Sequence, residues 1–375
     1  MLKFSCEKAL LNSAISAASR TVAQKSTIPA LEGIYLSAGL QLQLAGFNME
    51  TGITVNIPAE VTEPGECVMP AHLFSEIIRK LPDDLVFISV SDDLRVSIKC
   101  GISRFTIMAM SAEDYPELPD VETTNAVQLL QSDLKSMISG TLFSVSDNQT
   151  RPVQTGCLFE VTDSTITVVA VDGYRLALRR TFLEENTGRE LKFVVPGSGL
   201  KEVERLLHDS DEPVSVMPGS SHILFRISGI TLVCRLLEGE FLDWKRVVPT
   251  DSPIVMTADV RALTASLDRV SLIIDEKLRT PVRCTFSSNR ADFKISNSIG
   301  QVSDMCDMAG DGGDLEIGFN CRYLLEALRN VPDSEVCLQM KNGLSPAVMV
   351  PCDGSDQKDR WLYMVLPVRL KASEN

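Results

Sequence analysis

Apolar side chains recur at helical spacing in three places that share one surrounding plan. Over 71–81, Leu73, Phe74, Ile77, Ile78 and Leu81 fall on a single helical face. Leu200, Val203, Leu206 and Leu207 do the same over 198–208, as do Leu324, Leu325 and Leu328 over 320–330. Each helix is preceded by a strand end and followed by turn formers: Pro82-Asp83-Asp84, Asp209-Ser210-Asp211 and Pro332-Asp333-Ser334. An earlier helix is predicted in each case, over 7–19, 132–143 with Ser132 as its cap, and 258–273. Alternating runs such as GIYLSA, LQLQLAGF and TGITVNIPA lie between the helices, and turn residues such as Asn48-Met49-Glu50 join them as antiparallel hairpins.

Pro29, Pro152 and Pro281 form an independent marker, each standing after a polar loop and before a β-rich run. Both markers return with a period of about 125 residues, too long for a solenoid repeat and long enough for a domain with its own core. The chain therefore reads as three tandem modules, 1–122, 123–250 and 251–375, each built as strand, helix and three strands stated twice. The fold class is α+β, with two helices packed on antiparallel sheets in every module. The joins, MSAEDYPELPDV and LEGEFLDWKRVVPT, resemble each other and read as short ordered connectors.

Composition narrows the function. No apolar run is long enough to cross a bilayer and the N-terminus lacks the apolar stretch of a signal peptide, so a cytoplasmic protein without a membrane partner is expected. The ten cysteines show no C-x-x-C pair and mostly sit in apolar strands, which fits buried thiols. His72, His208 and His222 are scattered, which argues against zinc. Asp304, Asp307, Asp311 and Asp314 do not follow the spacing of a calcium loop and read as a solvated acidic loop. There is no P-loop, dinucleotide fingerprint or G-x-S-x-G, so neither a cofactor nor catalysis is expected.

Net charge is −14, which taken alone speaks against a nucleic-acid partner. The distribution reverses that. The six helical segments with their following loops carry 16 Lys+Arg against 11 Asp+Glu, a net of +5, which leaves −19 for the rest of the chain. Basic helices on one face and acidic sheets on the other would make a ring with a positive lining. A scaffold that bound only proteins would be expected to be acidic throughout.

Three-fold repetition of this unit, together with RPVQTGCLFEV, VDGYRLAL, FLDWKRVVP, IGFNCRYLLEAL and YMVLPVRL, closely resembles the bacterial sliding clamps, the beta subunits of DNA polymerase III. The resemblance runs over the whole chain. It implies the DNA clamp fold and a head-to-tail homodimer closing a ring around duplex DNA without regard to sequence. It also implies a non-catalytic processivity factor that tethers the replicative DNA polymerase catalytic subunit, the clamp loader and other proteins. By the resemblance, Lys25, Arg79, Lys80, Lys201, Arg205, Arg279 and Arg283 meet phosphates. A partner-peptide groove between modules 2 and 3 would have its walls at Val171, Gly173, Tyr174, Arg175, Leu176, Leu242, Arg246, Val247, Asn320, Tyr323, Met364, Val365, Leu366, Pro367, Val368 and Arg369. An apolar slot rimmed by two arginines suits a short peptide with apolar anchors and an acidic or glutamine residue. Three features depart from the family pattern: Gly197-Ser198-Gly199 where basic residues are common, Gln154 for an apolar residue and Leu242 for proline. The tail KASEN extends past the usual Arg-Leu end.

Overall fold

The computed structural model describes residues 1–122, 126–183, 188–274, 280–352 and 360–370. In chain order the first third contains β1 (Leu2–Glu7), α1 (Lys8–Ala18), β2 (Gly33–Ala38), β3 (Leu42–Phe47), β4 (Thr51–Ile57), β5 (Glu60–Glu63), β6 (Gly65–Pro70), α2 (Ala71–Lys80), β7 (Leu85–Val90), β8 (Arg95–Cys100) and β9 (Ser103–Met108). The middle third contains β10 (Val127–Leu130), α3 (Gln131–Leu142), β11 (Gly156–Val161), β12 (Thr165–Val171), β13 (Arg175–Phe182), β14 (Leu191–Pro196), α4 (Gly197–Leu206), β15 (Pro213–Pro218), β16 (His222–Ile227), β17 (Ile230–Arg235) and the one-turn α5 (Trp244–Val247). The last third contains β18 (Ile254–Asp259), α6 (Val260–Ser271), β19 (Val282–Ser296), β20 (Gln301–Phe319), α7 (Cys321–Arg329), β21 (Glu335–Met340), β22 (Ala347–Val350) and β23 (Trp361–Val365).

All six amphipathic helices predicted from spacing are present. The start of α3 differs from expectation: the helix begins at Gln131, so Ser132 lies inside it. Gln131 is fully buried; its side chain accepts the His208 N–H at 3.1 Å and donates to Glu212 and Ser228. A buried amide with all its partners anchors this end of the helix in place of a hydroxyl cap. The acidic run is also corrected. Asp304 to Asp314 belong to strand β20, paired along its length with β19. Arg269 holds Asp304 through two hydrogen bonds, while Asp307, which stands across from Arg290, and Asp311 and Asp314 remain exposed on the strand. Among the described residues no group of His, Cys, Asp or Glu is placed to hold a metal. Nine cysteines are buried and Cys352 is half-buried. Burial pushes the thiols of Cys67 and Cys157 up to about 12, which makes them inert core residues. No helix among the described residues is long and apolar enough to cross a membrane.

The chain divides into two compact units: Met1–Leu134 with Lys201–Leu236, and Lys135–Leu200 with everything from Leu237 onward. Each unit owns a sheet that crosses a module boundary. In the first, an eight-stranded sheet runs β10-β15-β16-β17-β4-β3-β2-β6, and a five-stranded sheet runs β5-β1-β7-β8-β9. In the second, a ten-stranded sheet runs β14-β11-β12-β13-β23-β22-β21-β18-β20-β19. Modules therefore join strand to strand, β17 on β4 and β23 on β13.

The same turn precedes the joining strands β4 and β13 and recurs before β20 in the last third. Asn48 accepts from the N–H groups of Glu50 and Thr51, Asp172 from those of Tyr174 and Arg175, and Asn297 from those of Ile299 and Gly300. A short side-chain oxygen folding back on the backbone two residues on is the device that Asn and Asp supply to tight turns.

Strand alternation splits the second unit into two cores. Ala177, Trp361, Tyr363 and Val365 face the core beneath α6 and α7, while Leu176, Leu178, Leu362 and Met364 face a second core closed by Phe241 and Trp244.

Candidate functional site

The predicted groove residues all lie in the second unit, and four elements bring most of them together. The β12–β13 hairpin supplies Val171 to Leu176. Gly173 has φ of 91°, a left-handed conformation that suits glycine at this turn. Val171, Leu176 and Met364 pack with Trp244 in one apolar cluster, with Leu366 and Val248 against it. The segment after β23 is held on both sides: the Leu366 N–H donates to the Tyr174 carbonyl at 2.9 Å, and the Val368 N–H donates to the Gly318 carbonyl at 2.8 Å. Asn320 caps α7 by accepting the Arg322 N–H, which sets Tyr323 on the first turn. Around this buried floor Tyr174 is 60% exposed and Leu242 45%, with Val247 and Val368 exposed as well. Large apolar groups left in water beside a rigid apolar floor form a surface suited to apolar anchors. Pro367 and Gln154 are half-buried at its margin.

Two predicted wall residues play other roles. Val365 points to the opposite side of the sheet, into the core under α6 and α7, because it alternates with Met364. Arg175, expected on the rim, is only 8% exposed. Its Nε donates to Asp172 at 2.9 Å, its Nη1 donates to Glu326, and its guanidinium lies 4.4 Å from the Tyr323 ring centre and 5.5 Å from that of Phe143. A buried cation satisfied by two carboxylates and two aromatic faces is a structural pin. It ties the hairpin to α7, where Tyr174 and Tyr323 stack at 6.2 Å. Burial pushes the Glu326 carboxyl up, but hydrogen bonds from Arg322 and Arg175 outweigh it and hold the group below the usual range. Burial raises the Tyr323 hydroxyl. Arg246 is thus the exposed cation of the wall, paired with Asp243 at 2.9 Å and its side chain 86% exposed; Arg369 is exposed too.

Phe143, Glu160, Trp244 and Glu326 were not picked out by the sequence reading. Glu160, Trp244 and Glu326 stood inside the motifs RPVQTGCLFEV, FLDWKRVVP and IGFNCRYLLEAL, but their roles, like that of Phe143, become visible only through contacts with residues far along the chain.

Comparison with known proteins decides the family. Three domain models of the DNA polymerase III beta subunit match in succession: N-terminal over 2–119, central over 128–243 and C-terminal over 245–367. The chain belongs to the DNA polymerase III beta subunit family. It is 29% identical to the beta sliding clamp of Staphylococcus epidermidis over 380 residues, covering 98% of this chain and all of that one. Among solved structures, a DNA polymerase III beta subunit from Eubacterium rectale superimposes with a TM-score of 0.93 at 31% identity, covering 98% of this chain and 99% of the other. The DNA polymerase sliding clamp of Bacillus subtilis gives 0.93 at 28%, covering 99% and 100%.

For a beta subunit, the basic residues predicted to face DNA are the second candidate set. Lys25 and Lys201 are exposed, and neither has an ion pair among the described residues. Arg79 and Lys80 end α2 and both reach Glu76; Arg205 pairs with Glu202, which Arg20 also approaches at 3.6 Å. Arg283 is the second residue of strand β19 and pairs with Glu316 at 2.6 Å. Arg279 lies outside the described residues.

Proposed function

We propose that two copies of this chain close head to tail into a ring that encircles duplex DNA and slides on it without reading its sequence. The ring tethers the replicative polymerase and other clients through the surface between β13, β23, α5 and α7. The observation that carries this reading is a pair of unmatched strand edges. In two modules the strand after the Asx turn, β4 or β13, receives the last strand of the next module, β17 or β23. The third such strand is the first part of β20, after the turn at Asn297, and the remaining last strand is β9. Among the described residues β9 pairs only with β8, and this first part of β20 pairs only with β19, since the pairing of β20 with β18, Thr257 opposite Ala309, comes later in the strand.

Both edges also expose apolar groups, Phe105 and Met108 on one and Leu272, Ile299 and Met305 beside the other. An open edge of that kind invites pairing. Joining the two edges between copies repeats the internal contact, and a heterologous contact whose rotation closes generates a ring. Polymerase and loader partners, a cytoplasmic location and a role without catalysis accord with the beta sliding clamps that the chain matches throughout.

Loading on a circle tests the topology. Placed on closed circular duplex by a bacterial clamp loader, the protein is expected to stay bound through gel filtration and to be lost when the circle is cut. Retention after cutting would show ordinary DNA binding and overturn the ring.

A further inference from the structure

One carboxylate outside the predicted groove is tied to one of its walls. Glu160 lies on β11, on the same side of the sheet as Leu158, which belongs to the core closed by Trp244. It receives the indole N–H of Trp244 at 3.0 Å and has the ammonium groups of Lys192 at 3.2 Å and Lys245 at 3.7 Å. Lys245 also lies 5.4 Å from the Trp244 ring centre.

Trp244 and Lys245 are the first two residues of α5, and Arg246 and Val247 are the other two. A helix of one turn has almost no stability of its own, so its placement depends on tertiary anchors. The Trp244 ring supplies the apolar anchor, in the cluster that contains Val171 and Met364. Glu160 supplies the polar one, and it fixes which way the indole lies because the N–H must point at the acceptor. No other acceptor for that N–H occurs among the described residues.

We infer that Glu160 is a positioning residue for peptide recognition: by accepting the Trp244 N–H it sets α5, and through α5 the placement of Arg246 and Val247. The inference rests on the groove reading. Loss of the acceptor leaves a largely buried donor unsatisfied, and the indole turns to find water. The lysine pairs contribute less, since the lysines are more than half exposed and such pairs are weak.

The test is fluorescence anisotropy of a labelled synthetic peptide carrying one glutamine and two or three large apolar residues, titrated with the dimeric protein. Glu160→Ala is expected to weaken binding about tenfold with the dimer intact by light scattering. Glu160→Gln, whose amide oxygen still accepts the indole N–H, is expected to restore affinity to within about threefold of wild type. In a Val247→Ala background the Glu160→Ala effect should shrink, because the wall that it positions is already truncated. A tenfold loss with rescue by Gln supports the role. Equal affinity of wild type and Glu160→Ala overturns it, as does a Gln variant as weak as the Ala variant. Failure of the wild type itself to bind removes the groove reading instead. If Glu160→Ala does not fold, Trp244→Phe, which keeps the carboxylate and deletes the N–H, takes its place with the same expected loss.

Discussion

Gly46 shows how far a single position can control packing in this chain. A Cβ there would land on the carbonyl oxygen of Ala18, at the end of α1, and crowd Thr21, whose hydroxyl donates to the Gly46 carbonyl at 2.8 Å. Gly46→Ala must push the helix off the sheet, and overpacking of that kind costs roughly 1–3 kcal/mol. A lower urea midpoint with an unchanged slope is the expected result; an unchanged midpoint would mean that α1 shifts freely. Arg175 and Asp304 teach a related point about charge. Arg175 was expected on the rim of the groove and Asp304 in a solvated loop, and both are committed internally: Arg175 to Asp172 and Glu326, Asp304 to Arg269. The hydrogen bonds from Arg269 hold the Asp304 carboxyl down to about 2, so its contribution to stability is full above the ordinary carboxylate range and is lost only as pH falls through that value.

At the scale of elements, the helices were legible because amphipathic spacing is local. Leu324, Leu325 and Leu328 are buried where the spacing put them. The short α5 was not legible, since a single turn shows no period and is placed by Trp244 and Glu160. Edge strands follow a different logic. Phe105 stands on β9 opposite Ile98, on the core side of the sheet, yet it is 39% exposed because no strand covers it. Phe105→Glu places a carboxylate where a partner strand would pack. It is expected to give a folded monomer with the cooperative melting of a single protomer, read by light scattering and circular dichroism. A dimer that survived this change would show that β9 is not the joining edge.

Across the whole molecule, charge is the property that the sum conceals. A net of −14 coexists with exposed cations on and after the helices, but pairing thins them: Arg79, Lys80 and Arg205 each have a glutamate within their own helix. Lys25 and Lys201 stay without an ion-pair partner among the described residues, so they carry more of the expected attraction to phosphate. Replacing both by alanine removes four lysines from a ring of two copies and should lower the slope of log affinity against log salt for a short linear duplex by about 4, as release of four counterions requires. An identical slope would remove both lysines from the DNA path. Replacing Arg79 should change the slope less, because Glu76 already neutralises part of its charge.

The sequence alone determined the repeat, the helical faces, the buried thiols and the family likeness, because each is written in neighbouring residues or in a period that can be counted. Tertiary structure alone decided which charges are free and which are pins, that the acidic run is a paired strand, and that Val365 turns away from Met364's side of the sheet. Those outcomes depend on partners brought close from distant positions, such as Glu326 beside Arg175 or Trp244 beside Glu160, and no local pattern encodes a meeting of that kind.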